Sequence, residues 1–107
     1  MLFNQKWDAQ LRAEPWRQVL LDAADFIDRV GWCQHTLLDG AGRVCAAEAL
    51  RSVGNAAFDV PTYTAAMNRL SNFVTHNEHS MAVVKWNDDQ ARTAAEVTSA
   101  IRACAWQ

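Results

Sequence analysis

The chain contains thiol and imidazole side chains of the kind that bind metals. Cys33 and His35 are separated by one residue, and Cys45 and Cys104 supply two further thiols. Structural zinc sites draw their ligands from close pairs such as CxxC or HxxxH, and the chain contains neither pair. We therefore interpret Cys45 and Cys104 as small buried residues on helix faces and expect no bound metal and no cofactor. The odd number of cysteines excludes a complete set of internal disulfides, and a reversible Cys33–Cys45 disulfide is the alternative.

A second group with metal-binding or proton-transfer chemistry is the sequence His76-Asn77-Glu78-His79. Two imidazoles three residues apart, with a carboxylate between them, have suitable chemistry for either role. No third ligand lies nearby in the sequence, and the same composition is typical of a solvated loop. We favour the loop.

Cys33 and His35 are also the residue types of a nucleophile and its base. Nucleophilic catalysis needs both groups within hydrogen-bond reach and a third group that orients the base. Residues two apart point to opposite sides of a strand and do not face each other on a helix. The sequence therefore favours a protein that is not an enzyme.

The segment that begins at Trp86 combines a bulky aromatic residue with side chains that bond backbone amides. Asn87 and Asp88 follow Trp86 directly, and such residues stop one helix and satisfy free amides at the start of the next. We expect Trp86 to be largely buried against Trp32 or the first helix, and Arg92 to pair with Asp88 or Asp89. This interpretation makes the segment a structural corner.

The alternative interpretation makes the same segment part of a small-ligand or enzyme pocket. Such a pocket is apolar with a few directed polar groups. Its lining would be Trp32, Cys33, Gln34, Cys45, Trp86, Asn87 and Asp88.

Most of the chain that positions these residues has the apolar spacing of α-helices. Apolar residues recur at helical spacing in four stretches, each bounded by start or stop signals such as Pro15, Gly31 and the Thr93–Glu96 capping box. A short apolar run after Ser80 predicts one further helix. The predicted helices cover residues 15–30, 44–53, 62–75, 81–86 and 94–105. The expected fold is an all-α single-domain bundle of four to five helices over residues 15–107, with residues 1–14 as an N-terminal arm and a small hairpin near residues 36–44 as the alternative for that stretch.

Composition and charge narrow the classes of partner. The 107 residues carry a net charge of −2 and are 50% hydrophobic. A charge this small gives no general attraction to nucleic acid or to anionic membranes, and the arginines are scattered. No apolar run approaches the ~20 residues that span a bilayer, and the N-terminus lacks the apolar core of a signal peptide. We expect a cytoplasmic protein that binds neither nucleic acid nor membrane.

Three sequence blocks occur in a fixed order: Gly31-Trp32-Cys33-Gln34, then residues 42–50 (GRVCAAEAL), then Trp86-Asn87-Asp88 with Arg92-Thr93 and Glu96-Val97. Together they resemble a family of small proteins from bacteria and their phages that is known only as a domain of unknown function. The resemblance covers about residues 16–105 and departs from the family at Glu48, where a glycine is usual. It implies a mostly helical fold and no established activity.

These observations favour a small protein-binding module. Trp and Arg are the residues most enriched at binding hot spots, and two of the five tryptophans lie close to the chain ends. The partner would be another protein, such as a host protein that a phage or mobile-element accessory protein inhibits, or a second copy of the chain in a homodimer. The candidate binding residues are Trp32, Cys33, Gln34, Arg43, Trp86, Asn87, Asp88 and Arg92.

Overall fold

The computed structural model describes residues 14–76 and 80–107 of the chain. Within these residues five helices pack around one core, which confirms the all-α single-domain prediction. The helices are α1 (Pro15–Val30), α2 (Ala46–Ala57), α3 (Val60–Thr75), α4 (Ser80–Asn87) and α5 (Ala94–Ala105). The N-terminal arm and residues 77–79 of the histidine segment lie outside the described residues.

Helix α1 is the central element of the bundle. Its stripe of apolar residues packs against α2, α3 and α5, and Pro15 occupies its first turn, where the missing N–H is not needed. Gly31 ends the helix with φ of 99° and donates its N–H to Ile27 O. The predicted stop is confirmed. The buried residues of this stripe are Trp16, Val19, Leu20, Ala23, Ala24 and Ile27.

Helix α2 differs from its prediction at both ends. It begins after Cys45, whose Sγ accepts a hydrogen bond from Glu48 N at 3.4 Å, and it continues through Gly54 to Ala57. The sequence predicts an end at residue 53, because glycine commonly follows the last residue of a helix and Gly54 comes next. Gly54 lies instead inside α2 at a close approach to α3, where an added Cβ would sit 2.6 Å from the Cβ of Tyr63.

The last three helices begin close to their predicted positions. Asp59 caps α3 by accepting a bond from Thr62 N at 2.9 Å, so the helix begins at Val60. Helix α4 begins at Ser80 and continues to Asn87, one residue past the predicted end. The Thr93–Glu96 capping box at the start of α5 is present as predicted.

The stretch between α1 and α2 forms no strand among the described residues. Isolated bridges join Leu38 to Val44 and Trp32 to Val44, and a turn at Asp39 connects the first pair. The side chain of Asp39 accepts bonds from the backbone N–H groups of Ala41 and Arg43. The hairpin alternative is therefore limited to one antiparallel bridge and its turn.

Candidate functional site

The side chain of Asn87, the last residue of α4, is completely buried and links three parts of the fold. Its Oδ1 accepts bonds from Trp32 Nε1 at 2.7 Å and from Ala46 N, at the start of α2, at 2.9 Å. Its Nδ2 donates to Cys33 O at 3.1 Å and to Asp88 Oδ1 at 3.0 Å. A primary amide has two donor hydrogens and two acceptor lone pairs, so its hydrogen-bonding capacity is filled.

Two neighbouring side chains extend this network. Gln34 Nε2 donates to Asn87 O at 3.0 Å and to Asp89 O at 2.8 Å. Asp88 Oδ1 also accepts a bond from the backbone N–H of His35 at 2.9 Å. We call the group formed by Trp32, Cys33, Gln34, Asn87 and Asp88 the Asn87 corner. Asn87 and Asp88 do bond backbone amides, but these are the amides of Ala46 and His35 and not, as the sequence predicts, those at the start of the next helix.

Trp86 and Arg92 lie at the outer side of the corner, and their roles differ from the prediction. Trp86 is only half-buried, and Arg92 stacks over its ring with Cζ 4.5 Å from the centroid. Arg92 Nε donates to Trp86 O at 3.0 Å, and its Nη1 lies 4.0 Å from Glu96 Oε2. The predicted pairing of Arg92 with Asp88 or Asp89 is wrong because the guanidinium is held over the indole. The fully buried residue of the segment is Asn87.

The thiols of Cys33 and Cys45 take part in packing. Cys33 Sγ lies 3.3 Å from Arg43 O and 3.5 Å from Thr36 O, and Cys45 Sγ caps α2. Burial raises the pKa of both thiols above the ordinary value, and both are free. A buried thiol with a raised pKa is a poor nucleophile at neutral pH because its thiolate is scarce.

The side chain of Arg43 takes no part in the Asn87 corner, although its backbone carbonyl contacts Cys33 Sγ. Its Nε binds Asp39 Oδ2 at 2.6 Å, and the bonds from Arg43 to Asp39 lower the pKa of that carboxyl. Its aliphatic stem packs over Gly31, where an added Cβ would meet Arg43 Cγ at 2.7 Å. The structure therefore brings Trp32, Cys33, Gln34, Asn87 and Asp88 together by hydrogen bonds, with Trp86 and Arg92 beside them and Arg43 at the far side of the loop.

Three clefts that the sequence analysis did not identify lie elsewhere on the described surface. The first, of about 160 Å³, lies between the loop before α2 and the helices α2, α3 and α4, and we call it the Leu37 cleft. It is lined by Leu37, Ala47, Glu48, Arg51, Tyr63, Met67 and Val84. The residues come from four separate segments, so no local spacing pattern marks them.

The second cleft, of about 190 Å³, lies between the start of α1, the second half of α3 and the end of α5, and we call it the Trp16 cleft. It is lined by Trp16, Arg69, Asn72, Phe73, Cys104 and Gln107. A third, of about 300 Å³, lies between α1 and the end of α2, with Asp22, Asp25, Phe26 and Arg29 on the α1 side. Trp32, Cys33, Cys45 and Trp86 line none of these three clefts, and the buried amide of Asn87 makes its hydrogen bonds within the fold.

In the part of the chain that the structure describes, no three histidine, cysteine or acidic side chains come together in a way that could hold a metal ion. Each helix there is too short or too polar to cross a lipid bilayer.

Comparison with models of known protein families matches residues 11–107 to a family of unknown function, DUF6197. No curated protein and no solved structure matches the chain.

Proposed function

The chain belongs to the DUF6197 family of unknown function, and from this premise we propose that it is a small non-catalytic module that binds another protein. The Leu37 cleft is the binding surface in this proposal. The observation that carries it is the exposed side chain of Leu37 beside an apolar cleft of the size of one side chain.

The walls of the Leu37 cleft are suited to an apolar group. Leu37 is 48% exposed at the mouth, Tyr63 and Val84 are half-buried, and Met67 is buried. A cavity of about 150 Å³ is known to hold a benzene-sized group, so this cleft accepts one aliphatic or aromatic side chain. Methionine adapts its shape to different partners, and such residues are common at binding surfaces.

Charged residues at the edge of the Leu37 cleft determine which partner residues fit beside the apolar side chain. Glu48 is buried, and its carboxylate accepts bonds from Arg51 Nε and Nη2 and from the Ser52 hydroxyl. The exposed Arg51 is thus ion-paired with Glu48, and the two charges offset each other. Lys85 lies next to Val84 in the chain and is exposed. The partner segment in our proposal therefore carries an apolar side chain with an acidic residue beside it that pairs with Lys85.

The Asn87 corner has a supporting role in this proposal. The carbonyl of Leu37 accepts a bond from Cys45 N at 3.0 Å, and Cys45 directly precedes α2, whose first N–H is held by Asn87. The corner residues predicted as binding residues therefore hold the loop that presents Leu37. The four hydrogen bonds of the Asn87 side chain are made within the chain, so this amide is not free for a partner.

The biological setting that we propose is the cytoplasm, where the module modulates or inhibits a host protein as an accessory protein of a phage or mobile element. Its support is the resemblance of the three sequence blocks to small bacterial and phage proteins. A homodimer is the competing arrangement.

Site-specific cross-linking tests the proposal. A photoreactive residue at position 37 should capture one partner protein in native cells, whereas the same residue at position 38 should not, because Leu38 is 57% exposed but does not line the cleft. With the purified partner, Leu37→Asp should lower the affinity at least about tenfold, or 1.4 kcal/mol, and Leu38→Asp should leave it nearly unchanged.

Two outcomes would overturn the proposal. Equal losses for both aspartate variants would show that the cleft is not the binding surface. A chain that is dimeric in solution, and that Leu37→Asp makes monomeric, would assign the cleft to a second copy.

A further inference from the structure

The Trp16 cleft contains an arginine whose partners differ from those of most others in the fold. Five arginines in residues 14–76 and 80–107 lie within 4.0 Å of a carboxylate oxygen. These are Arg17, Arg43, Arg51, Arg92 and Arg102. Arg69 has no such ion pair with any described residue and lies with Cζ 3.9 Å from the centroid of the Trp16 ring. The cleft therefore presents a guanidinium that stacks on Trp16 and has no carboxylate of the described residues within 4.0 Å.

Stacking on Trp16 determines which part of the Arg69 guanidinium is available to a ligand. A guanidinium over an indole face interacts through its flat surface, and its N–H groups point outward in the plane. Those N–H groups form the fork that binds a carboxylate through two parallel bonds. Arg69 is exposed and lines the cleft, whereas Trp16 is only 9% exposed, so the indole acts as a fixed platform for the guanidinium.

The other lining residues add apolar contact and further polar groups. Asn72 and Phe73 follow Arg69 by three and four residues on α3, so they share its face of the helix. Gln107 adds a second amide from the end of the chain beyond α5. The floor is the buried thiol of Cys104, whose pKa burial raises to about 11 against the opposing effect of Arg69 and Arg17. Both cations thus act electrostatically at the base of the cleft.

We propose that the Trp16 cleft binds a small aromatic monocarboxylate. The carboxylate pairs with the Arg69 fork, the ring packs against the exposed side chain of Phe73, and Asn72 or Gln107 bonds the remaining carboxylate lone pairs. The volume of about 190 Å³ suits a single ring with a short acidic substituent. This site is separate from the Leu37 cleft and does not depend on the function proposed for that cleft.

Titration of the full chain with phenylacetate tests the proposal, with its neutral amide, phenylacetamide, as the matched ligand. Two-dimensional NMR should show saturable shifts of the Trp16 indole N–H and the Asn72 and Gln107 side-chain amides with phenylacetate, and at least about tenfold weaker binding of phenylacetamide. Arg69→Leu should weaken phenylacetate binding by a similar factor.

Arg29→Leu is the matched control variant. Arg29 also stacks on an aromatic ring, with Cζ 5.2 Å from the centroid of Phe26, but it lines the cleft that contains Asp22 and Asp25. Its loss should leave phenylacetate binding unchanged. Asn72→Asp is a second test because it places a carboxylate three residues from Arg69, where it should occupy the fork and weaken binding while thermal stability is retained.

The proposal is overturned by shifts that do not saturate, by equal affinity for phenylacetate and phenylacetamide, or by equal losses in the Arg69 and Arg29 variants. A tetrapeptide with a C-terminal phenylalanine serves as a further probe. If it bound more tightly than phenylacetate, the occupant would be a peptide terminus and not a free small molecule.

Discussion

The indole N–H of Trp32 donates a 2.7 Å hydrogen bond to the buried side-chain oxygen of Asn87, 55 residues further along the chain. This bond connects the segment that follows α1 to the last residue of α4. The same oxygen also accepts the N–H of Ala46. One amide therefore positions the loop between α1 and α2, the start of α2 and the end of α4, and its removal should affect all three.

Asn87→Ala should lower the free energy of unfolding by about 3 kcal/mol or more, because each buried polar group left without a partner costs about 1–3 kcal/mol. Urea denaturation measures this loss. Asn55→Ala is the control, since Asn55 is exposed within α2 and alanine is a better helix former there. Similar midpoints for the two variants would contradict the structural role of the corner.

Trp86 and Arg92 should be coupled energetically. Trp86→Ala should cost less than the roughly 3–5 kcal/mol typical of a fully buried tryptophan, because the ring is only half-buried. A double-mutant cycle with Arg92→Ala should give a coupling energy of about 0.5–2 kcal/mol from the cation–π contact. Combining Arg92→Ala with Ser99→Ala, on the exposed face of α5, should give additive losses. Additivity in the Trp86–Arg92 cycle as well would contradict the contact.

Gly54→Ala should destabilise the fold although alanine is favoured inside an isolated helix by about 1 kcal/mol. The added Cβ would lie 2.6 Å from the Cβ of Tyr63, which forces α2 and α3 apart, and overpacking of this kind costs about 1–3 kcal/mol. Gly40→Ala is the matched control because no atom lies within 4 Å of its added Cβ and its φ is not positive. Thermal unfolding should show a lower melting temperature for the first variant only.

Thr93→Ala should remove the capping box of α5. Thr93 Oγ1 accepts from Glu96 N at 3.2 Å, and Glu96 Oε1 accepts from Thr93 N at 2.9 Å. Loss of such a cap costs about 0.5–2 kcal/mol. Ser99→Ala in the exposed middle of the same helix controls for helix propensity. An unchanged denaturation midpoint for Thr93→Ala would show that the cap does not contribute.

The Cys104 thiol should make stability depend on pH in the alkaline range. Its pKa is about 11 in the folded chain and 9.0 when unperturbed, so folding favours the protonated form. The contribution of this pKa difference to the free energy of unfolding is fully present below pH 9.0. It declines as pH rises toward 11, because the unfolded chain then binds fewer protons than the folded chain. The pH dependence of unfolding in Cys104→Ala should be flatter over that window. Identical slopes in both proteins would contradict the buried thiol.

The helices and their ends could largely be predicted from the sequence because the signals are local. Pro15, Gly31 and the Thr93–Glu96 pair act within four residues of the helix end that they define, so spacing alone identifies them. The exception is Gly54. Its local signal predicts a stop, but packing against Tyr63 makes the absence of a side chain an advantage inside the helix.

The candidate site could be predicted only in part. The sequence identified Asn87 and Asp88 as residues that bond backbone amides, but it placed Trp86 as the buried anchor and paired Arg92 with an acid. Only the tertiary structure decided that Asn87 is the buried residue and that Arg92 lies over Trp86. It alone also formed the Leu37 and Trp16 clefts. The physical reason is that these arrangements depend on which distant segments meet, such as Trp32 and Asn87 across 55 residues, whereas helix signals act between neighbours in the chain.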